Sequence, residues 1–178
     1  MRANGGSAAP ALLAALAVGG CGFQPLYATS GVAPGLSHIE VVAPDGRVGY
    51  LLRQDIDDAL GRDKGEAPVY RLDLQLNQTR FSRGLTRAGV AQRYELNLRV
   101  AYALTDLSTG KVAHTGSVIS TVSYDSAEQP YAGIAARQDT QDRMANDAAR
   151  KIQLDLAAWM ARQAPPAKAG ASPSAGGG

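Results

Sequence analysis

The chain has 178 residues, which is enough for one domain with a hydrophobic core of its own. Of its 18 lysines and arginines only Arg2 precedes residue 21, so the remainder carries 17 basic and 16 acidic side chains. This near balance excludes a general nucleic-acid-binding protein, because such proteins carry a large excess of basic residues. Any electrostatic recognition must therefore be local.

The residue types that usually build metal and active sites are scarce. The chain has one cysteine, Cys21, and two histidines, His38 and His114. They cannot form a disulfide framework and show no metal-ligand spacing, and the sequence has no phosphate loop and no nucleophile or zinc-protease motif. We therefore expect no enzyme, no metal and no bound cofactor, with both histidines as ordinary strand residues and Trp159 in the core.

An export signal is predicted at residues 1–20. Arg2 supplies positive charge, and an apolar stretch of eleven residues occupies Ala8–Val18. A transmembrane helix needs about 20 residues, so this stretch matches the apolar core of a signal peptide instead. The sequence Gly19-Gly20-Cys21 that follows is similar to a bacterial lipobox, in which the cysteine thiol becomes a thioether to diacylglycerol.

Cys21 is accordingly predicted to carry diacylglycerol and an N-acyl chain such as palmitate; the alternative is a secretory peptide with a chance cysteine. Two or more acyl chains hold a protein durably on a bilayer. The resemblance to bacterial lipoproteins implies a sorting rule, in which Asp after the cysteine retains the protein at the inner membrane. Because Gly22 stands there, the periplasmic side of the outer membrane is favoured. Residues 21–36 are predicted to be a lipidated tether.

A short strand is predicted at residues 37–42, and a helix follows at 46–62. A Pro-Asp-Gly turn separates them, with Asp45 as the predicted N-cap of the helix. Apolar residues recur every three or four positions in Val48–Leu60, which predicts one buried stripe. The polar residues expected to lie away from this stripe are Arg53, Asp57, Asp58 and Arg62.

Three long strands are predicted next. In the first two, apolar and polar residues alternate with a period of two, whereas the third is less regular and rich in Val, Ile, Thr and Ser. The alternation runs through Tyr70–Leu76 and returns in Tyr94–Leu104. Asp106–Gly110 has the composition of a hairpin loop. The third strand is predicted at residues 111–124.

A long helix at residues 130–162 completes the predicted domain. Its predicted buried side comprises Met144, Ala145, Ala148, Ile152, Leu156 and Trp159. Residues 163–178 are rich in Ala, Pro, Gly and Ser and are predicted to be a disordered tail. The predicted fold class is α+β: a two-layer sandwich at residues 37–162, in the order β-α-β-β-β-α, whose two helices cover a four-stranded, mostly antiparallel sheet.

With this order of elements, the sequence resembles the LptE family of lipopolysaccharide-assembly lipoproteins in its alphaproteobacterial form. The resemblance lies in four segments, which are Cys21–Tyr27, Gly46–Leu60, Arg93–Gly110 and the pair Tyr124-Asp125 with Tyr131-Ala132. It implies a non-catalytic sandwich tethered to the inner leaflet of the outer membrane. It also implies that the chain plugs the β-barrel translocon LptD, assists in placing lipopolysaccharide at the cell surface and binds lipopolysaccharide itself.

One segment has local positive charge in this otherwise neutral chain. No acidic residue lies between Asp73 and Glu95, whereas four arginines do. Gly84 and Gly89 mark the segment as the loop joining two long strands at one end of the sheet. Guanidinium groups bind phosphate and carboxylate bidentately, so this segment is predicted to bind an anionic ligand. The alternative interpretations are that it contacts acidic groups of the barrel wall or that it is a solvated turn. The predicted lipopolysaccharide-binding residues are Arg80, Arg83, Arg87 and Arg93.

Two other functions are compatible with a tethered lipoprotein but fit the sequence less well. A lipoprotein that binds peptidoglycan or another envelope protein would also be a tethered α/β module. Against it, the Asn…Leu-Ser…Arg signature of outer-membrane-protein-A-like domains is missing. A tethered hydrolase would need a nucleophile, a base and an orienting residue, and two histidines in weak contexts do not supply them. Co-purification with a large barrel, as against binding to cell-wall sacculi, separates the first two functions.

Overall fold

The computed structural model describes residues 32–85, 87, 91–126 and 130–163. The predicted signal peptide, Cys21 and the tail after Gln163 lie outside the described residues. The cleavage, the acylation and the disorder expected for those segments therefore stay predictions.

Three helices and four strands make up the described part of the chain. In chain order they are α1 (Val32–Ser37), β1 (Ile39–Val42), α2 (Arg47–Leu60), β2 (Tyr70–Leu85), β3 (Ala91–Asp106), β4 (Val112–Asp125) and α3 (Pro130–Gln163). The strands form one sheet in the order β1-β2-β3-β4, with β1 parallel to β2 and the other neighbours antiparallel. The predicted α+β fold, with a mostly antiparallel four-stranded sheet and two covering helices, is confirmed.

The alternation in sequence gives the sheet two chemically different faces. Even-numbered residues of β2 and β3, and of β4 from His114 onward, face the helices: Leu72 pairs with Leu104, Leu98 pairs with Ser120, and all four are buried. Odd-numbered residues of the same strands face away from the helices, because successive side chains of a strand point to opposite sides. The core therefore lies between the even-numbered face and the helical layer.

Helices α2 and α3 close the core, as their apolar periodicity predicts. Leu52 and Ile56 of α2 and Ile152 and Leu156 of α3 are fully buried. Burying a side chain of this size contributes about 1.5–3 kcal/mol. Each helix is thus held on the sheet by its own apolar stripe.

The start and the polar side of α2 differ from expectation. The N-cap is Gly46 and not Asp45, because the chain there has a φ of 115°, which favours glycine. Asp57 was expected away from the apolar stripe, yet it is only 8 % exposed. Its carboxylate lies 3.8 Å from the guanidinium of Arg62, which partly compensates the buried charge.

Helix α1 (Val32–Ser37) includes residue 36, at which the predicted tether ends. Leu36 is buried in the core, and a Cβ added to Gly35 would come within 2.9 Å of the Met160 sulfur. Packing therefore begins before residue 37, because an apolar side chain in a Gly- and Pro-containing segment finds a place against α3.

The longest helix, α3, has 34 residues and a largely polar exposed side. Ion pairs one turn apart, Arg143 with Asp139 and Lys151 with Asp147, lie on that side. Pairs of this spacing contribute only about 0.2–0.5 kcal/mol each. Among the helices of the described ranges, α3 included, none is both long and apolar enough to cross a bilayer.

We expect Gly49→Ala to lower the free energy of unfolding by about 2–4 kcal/mol. A Cβ at this buried position of α2 would overlap the carbonyl oxygen of Pro44, which is backbone and cannot move aside freely. Denaturant unfolding measures the change. Gly133→Ala in α3 is the matched control, since a Cβ there meets nothing within 4 Å; it should stabilise by up to about 1 kcal/mol. Equal stability of G49A and the wild type would contradict the close contact of α2 with Pro44.

Candidate functional site

The four arginines predicted to bind lipopolysaccharide lie at one end of the sheet, but three of them are on strands. Arg80 and Arg83 belong to β2 and Arg93 to β3, while Arg87 lies in the turn. The long loop predicted here is therefore wrong, since β2 and β3 stay paired almost up to that turn. Backbone hydrogen bonds pair two strands whichever side chains they carry. The strands consequently continue beyond the point where their apolar row ends.

Strand alternation sends these arginines to opposite faces of the sheet. Arg83 and Arg93 are on the outer face, where Arg83 pairs with Glu95 at 3.1 Å and Arg93 pairs with Asp125 at 2.9 Å. The hydrogen bond from Arg83 holds the pKa of Glu95 below its usual range. Two of the four guanidinium groups thus already have carboxylate partners within the chain.

Arg80 lies on the helix-side face, beyond the end of the core. Its guanidinium is stacked over the ring of Tyr94, 5.0 Å from the ring centre. Tyr94 in turn packs against Tyr124 of β4, with ring centres 5.5 Å apart. The first turns of α3 add Ile134 and Arg137. These five residues line a surface pocket of about 290 Å³, named here the sheet-end pocket.

The sheet-end pocket combines positive charge with apolar surface. Within the described part of the chain, neither Arg80 nor Arg137 has a carboxylate partner. Both guanidinium groups are therefore available to bind phosphate or carboxylate bidentately. The two tyrosine rings and the exposed Ile134 offer apolar contact beside them. A ligand that carries an anionic group next to sugar or acyl carbon matches this arrangement.

Two other concavities are less suited to an anionic ligand. One lies against α2 and includes Asp57 and Asp58, and the other lies between α2 and α3 and includes Asp55 and Asp142. Burial, and then the neighbouring carboxylates of Asp58 and Asp142, raise the pKa of Asp55. In each concavity two carboxylates lie beside two basic side chains, whereas the residues that line the sheet-end pocket include no carboxylate.

The outer face of the sheet carries no helix in the described ranges. Its middle rows are small and polar: Thr79, Asn97 and Thr121 lie side by side on β2, β3 and β4, and the Thr121 hydroxyl donates to the Asn97 side-chain oxygen. Phe81 and Ile119 are exposed apolar residues among them. A broad surface of mixed polarity is typical of a protein–protein contact.

A hydrogen-bond network joins β3, β4 and α3 towards the opposite end of the sheet. The Tyr102 hydroxyl donates to Asp155 at 2.5 Å, and Nε2 of His114 lies 2.6 Å from the same carboxylate oxygen. His114 also stacks on Trp159, with ring centres 5.6 Å apart. His114 on β4 and Trp159 in the core agree with expectation, whereas His38 lies in the turn before β1 and not in the strand.

Metal ligands are not gathered anywhere in residues 32–85, 87, 91–126 and 130–163, where no three His, Cys, Asp or Glu side chains come together. Cys21 lies outside these ranges, so its acylation is untested by the structure. The network around Asp155 is held between packed elements, so its role is structural.

The sequence alone did not predict four of the five residues that define the sheet-end pocket, namely Tyr94, Tyr124, Ile134 and Arg137. Tyr94 and Tyr124 carried a signal, since they are even-numbered and continue the helix-side rows of β3 and β4. Arg137 carried none, because its position over the end of the sheet depends on how the distant half of α3 packs. The distribution of charge along the sequence predicts at which end of the sheet the arginines lie, but not which face of the sheet each of them is on.

Comparisons with known proteins agree with this architecture. The model of a family described as LptE, lipopolysaccharide-assembly, matches residues 36–156. A candidate lipoprotein from Caulobacter crescentus CB15, known from a crystal structure, is 51% identical; the match covers 76% of this chain and 99% of that one, with a TM-score of 0.67. Rare lipoprotein B from Shewanella oneidensis is 18% identical over 70% of this chain and 97% of its own, with a TM-score of 0.55. Lipoprotein B from Nitrosomonas europaea is 17% identical over 68% and 83%, with a TM-score of 0.53. These two share the fold, and no curated protein matches the sequence.

Two opposing effects act on the carboxyl group of Asp155. Partial burial alone would raise its pKa, but the hydrogen bonds from His114 and Tyr102 outweigh burial and hold the pKa below its usual range. A carboxyl group whose pKa is lower in the folded than in the unfolded state stabilises the fold above its unfolded pKa, about 3.9 for Asp. This stabilisation is lost as the pH falls through the folded pKa.

Asp155→Asn should therefore lower the free energy of unfolding by about 1–2 kcal/mol at neutral pH, allowing for partial exposure of the carboxylate. The gap to the wild type should narrow as the pH falls to about 3, because the wild-type carboxylate begins to take up a proton and loses the same advantage. Denaturant unfolding at both pH values measures it. Asp139→Asn, which removes an exposed carboxylate one turn from Arg143, should change stability by less than about 0.5 kcal/mol. A gap of the same size at both pH values would refute this account of the network.

Proposed function

The chain belongs to the LptE family of lipopolysaccharide-assembly lipoproteins, and on that premise we propose that it binds lipopolysaccharide in the sheet-end pocket while partnering the β-barrel translocon LptD. The family is one of non-enzymatic envelope lipoproteins, so the function to be explained is binding. The observation that carries the proposal is the position of Arg80 and Arg137, two guanidinium groups without carboxylate partners in the described ranges, beside aromatic and aliphatic surface.

Lipopolysaccharide offers the chemistry that the pocket is built to recognise. Its lipid A and inner core are rich in phosphate and carboxylate groups, which lie next to sugar rings and acyl chains. A pocket of about 290 Å³ is far smaller than the whole molecule, so it would hold one phosphorylated sugar. Arg80 is oriented by the ring of Tyr94, and such pre-orientation reduces the entropy lost on binding. Arg87, exposed in the turn at the same end, supplies further positive charge.

Partnership with LptD is supported by the outer face of the sheet. A protein enclosed by a barrel needs a broad surface that is free in isolation and covered in the assembly. The rows that include Thr79, Asn97 and Thr121 have this character, since no helix covers them in the described ranges. The proposed acyl anchor at Cys21, on the periplasmic side of the outer membrane, would hold the chain beside an integral barrel.

The double substitution Arg80→Gln with Arg137→Gln should weaken the binding of purified lipopolysaccharide by at least about tenfold. Hydrogen bonds to charged groups are worth about 1.5–3 kcal/mol each, and about 1.4 kcal/mol corresponds to a factor of ten in affinity. Equilibrium binding to the folded protein measures the effect, with circular dichroism to verify that the fold is retained.

The matched control is Arg83→Gln with Arg93→Gln. It removes the same charge from the same end of the sheet, but from guanidinium groups that are paired with Glu95 and Asp125 on the outer face. We expect it to weaken binding by no more than about threefold, as for a long-range, screened contribution. Equal losses in the two double variants would show that the whole end of the sheet acts by charge alone, and would rule out the sheet-end pocket as the binding site.

A further inference from the structure

Three exposed apolar residues lie at the end of the sheet opposite the sheet-end pocket. Val69 is 47 % exposed, Leu107 44 % and Val112 59 %. The backbone N–H of Leu107 donates to the carbonyl oxygen of Val69 at 3.0 Å. Val112 pairs with Thr105, two residues before Leu107. Val69, Leu107 and Val112 are therefore neighbours, and together they are named the apolar corner.

The apolar corner groups three exposed aliphatic residues at one end of the outer face, whereas Phe81 and Ile119 lie among polar residues elsewhere on that face. Val69 and Leu107 extend the odd-numbered rows of β2 and β3 by one position each, and Thr105, the partner of Val112, belongs to the same rows. In the middle of the sheet these rows carry small or polar residues, such as Ala101 opposite Ser117. The change from polar to apolar at one end indicates a different contact surface there.

Charged groups around the corner are compatible with a phosphate-bearing surface. Lys111 has no carboxylate partner in the described ranges. The Asp106 carboxylate accepts hydrogen bonds from the N–H and hydroxyl of Ser108 and from the N–H of Thr109. Because these bonds lie within the hairpin loop, the negative charge is satisfied locally and the lysine is left available.

The chain enters the fold beside this corner. The carbonyl oxygen of His38, just after α1, accepts a hydrogen bond from the N–H of Val69 at 2.9 Å. Eleven residues lead from Cys21 to Val32, and such a segment spans at most about 40 Å. The sixteen residues of β2 span about 50 Å. An anchor at Cys21 is therefore long enough for the apolar corner to reach the bilayer, whereas the sheet-end pocket lies a full strand length further from the entry point.

We infer that the apolar corner is a membrane-contact surface whose occupant is the phospholipid bilayer that holds the acyl anchor. Its aliphatic side chains enter the boundary between headgroups and acyl chains, and Lys111 meets the headgroup phosphates. The inference rests on the proposed acylation of Cys21. It makes the apolar corner a second point of attachment to the bilayer, beside the acyl chains.

Site-directed spin labelling of the full-length acylated chain tests this inference. Leu107→Cys and Val112→Cys are labelled separately with a nitroxide, since the thiol of Cys21 is consumed by acylation. Leu154→Cys, at a 53 % exposed apolar position of α3, is the matched control. Each protein is bound to vesicles of phosphatidylethanolamine and phosphatidylglycerol, and flotation of the vesicles measures anchoring independently. Access of an aqueous nickel chelate should fall about tenfold at positions 107 and 112, as at the headgroup–acyl boundary, and stay unchanged at 154.

Each other outcome overturns the inference in a recognisable way. If the protein floats with the vesicles but positions 107 and 112 stay as accessible as position 154, the anchor stands and the membrane contact is wrong. If protection appears only after LptD is added, the corner binds protein and not lipid. If the protein does not float at all, the proposed acyl anchor fails, and the membrane contact fails with it.

Discussion

Side-chain alternation along three long strands is the constraint on which the rest of the molecule depends. One register places Leu72 and Leu104 under the helices and turns Thr79 and Asn97 outward. A slip of one residue in any strand would exchange its two faces. The large buried leucines oppose that slip, because exposing each of them costs about 1.5–3 kcal/mol. The core thus fixes, at a distance, which arginines face the sheet-end pocket and which face outward.

Helix α3 connects the core to the sheet-end pocket. At 34 residues it spans about 50 Å, close to the length of β2 and β3. Its buried side begins around Thr140 and Met144, so the first turns extend beyond the core and over the end of the sheet. Arg47 of α2 holds Asp142 at 2.9 Å near this transition. The place of Arg137 is consequently set by packing that begins one turn after it.

Most of the fold follows from local pattern. The helices and the long strands have apolar periods of 3.6 and 2 over many residues, which is the most reliable signal a single sequence carries. Apart from the N-cap of α2, which depends on the local backbone at Gly46, the departures depend on tertiary contacts. Leu36 is buried because α3 offers a place for it, and Asp57 is buried because Arg62 lies beside it. The strands that carry Arg80 and Arg93 extend beyond their buried apolar residues, because backbone hydrogen bonds can pair two strands without a hydrophobic core beside them.

The site was predictable in location but not in composition. An acid-free run of arginines points to one end of the sheet from the sequence alone. The sequence does not predict that Arg83 pairs with Glu95 or that Arg137 lies near Arg80, because these contacts depend on strand register and on helix packing. Only the structure therefore shows which of these arginines lie on the helix-side face of the sheet and which lie on its outer face.

Photo-crosslinking in intact cells tests most directly the claim that lipopolysaccharide binds in the sheet-end pocket while LptD contacts the outer face. A photoreactive amino acid replaces Tyr94 in the sheet-end pocket or, in a second protein, Ser117 on the outer face. The account predicts lipopolysaccharide crosslinked at position 94 and LptD crosslinked at position 117. Absence of lipopolysaccharide at position 94, in cells where position 117 captures LptD, would contradict it.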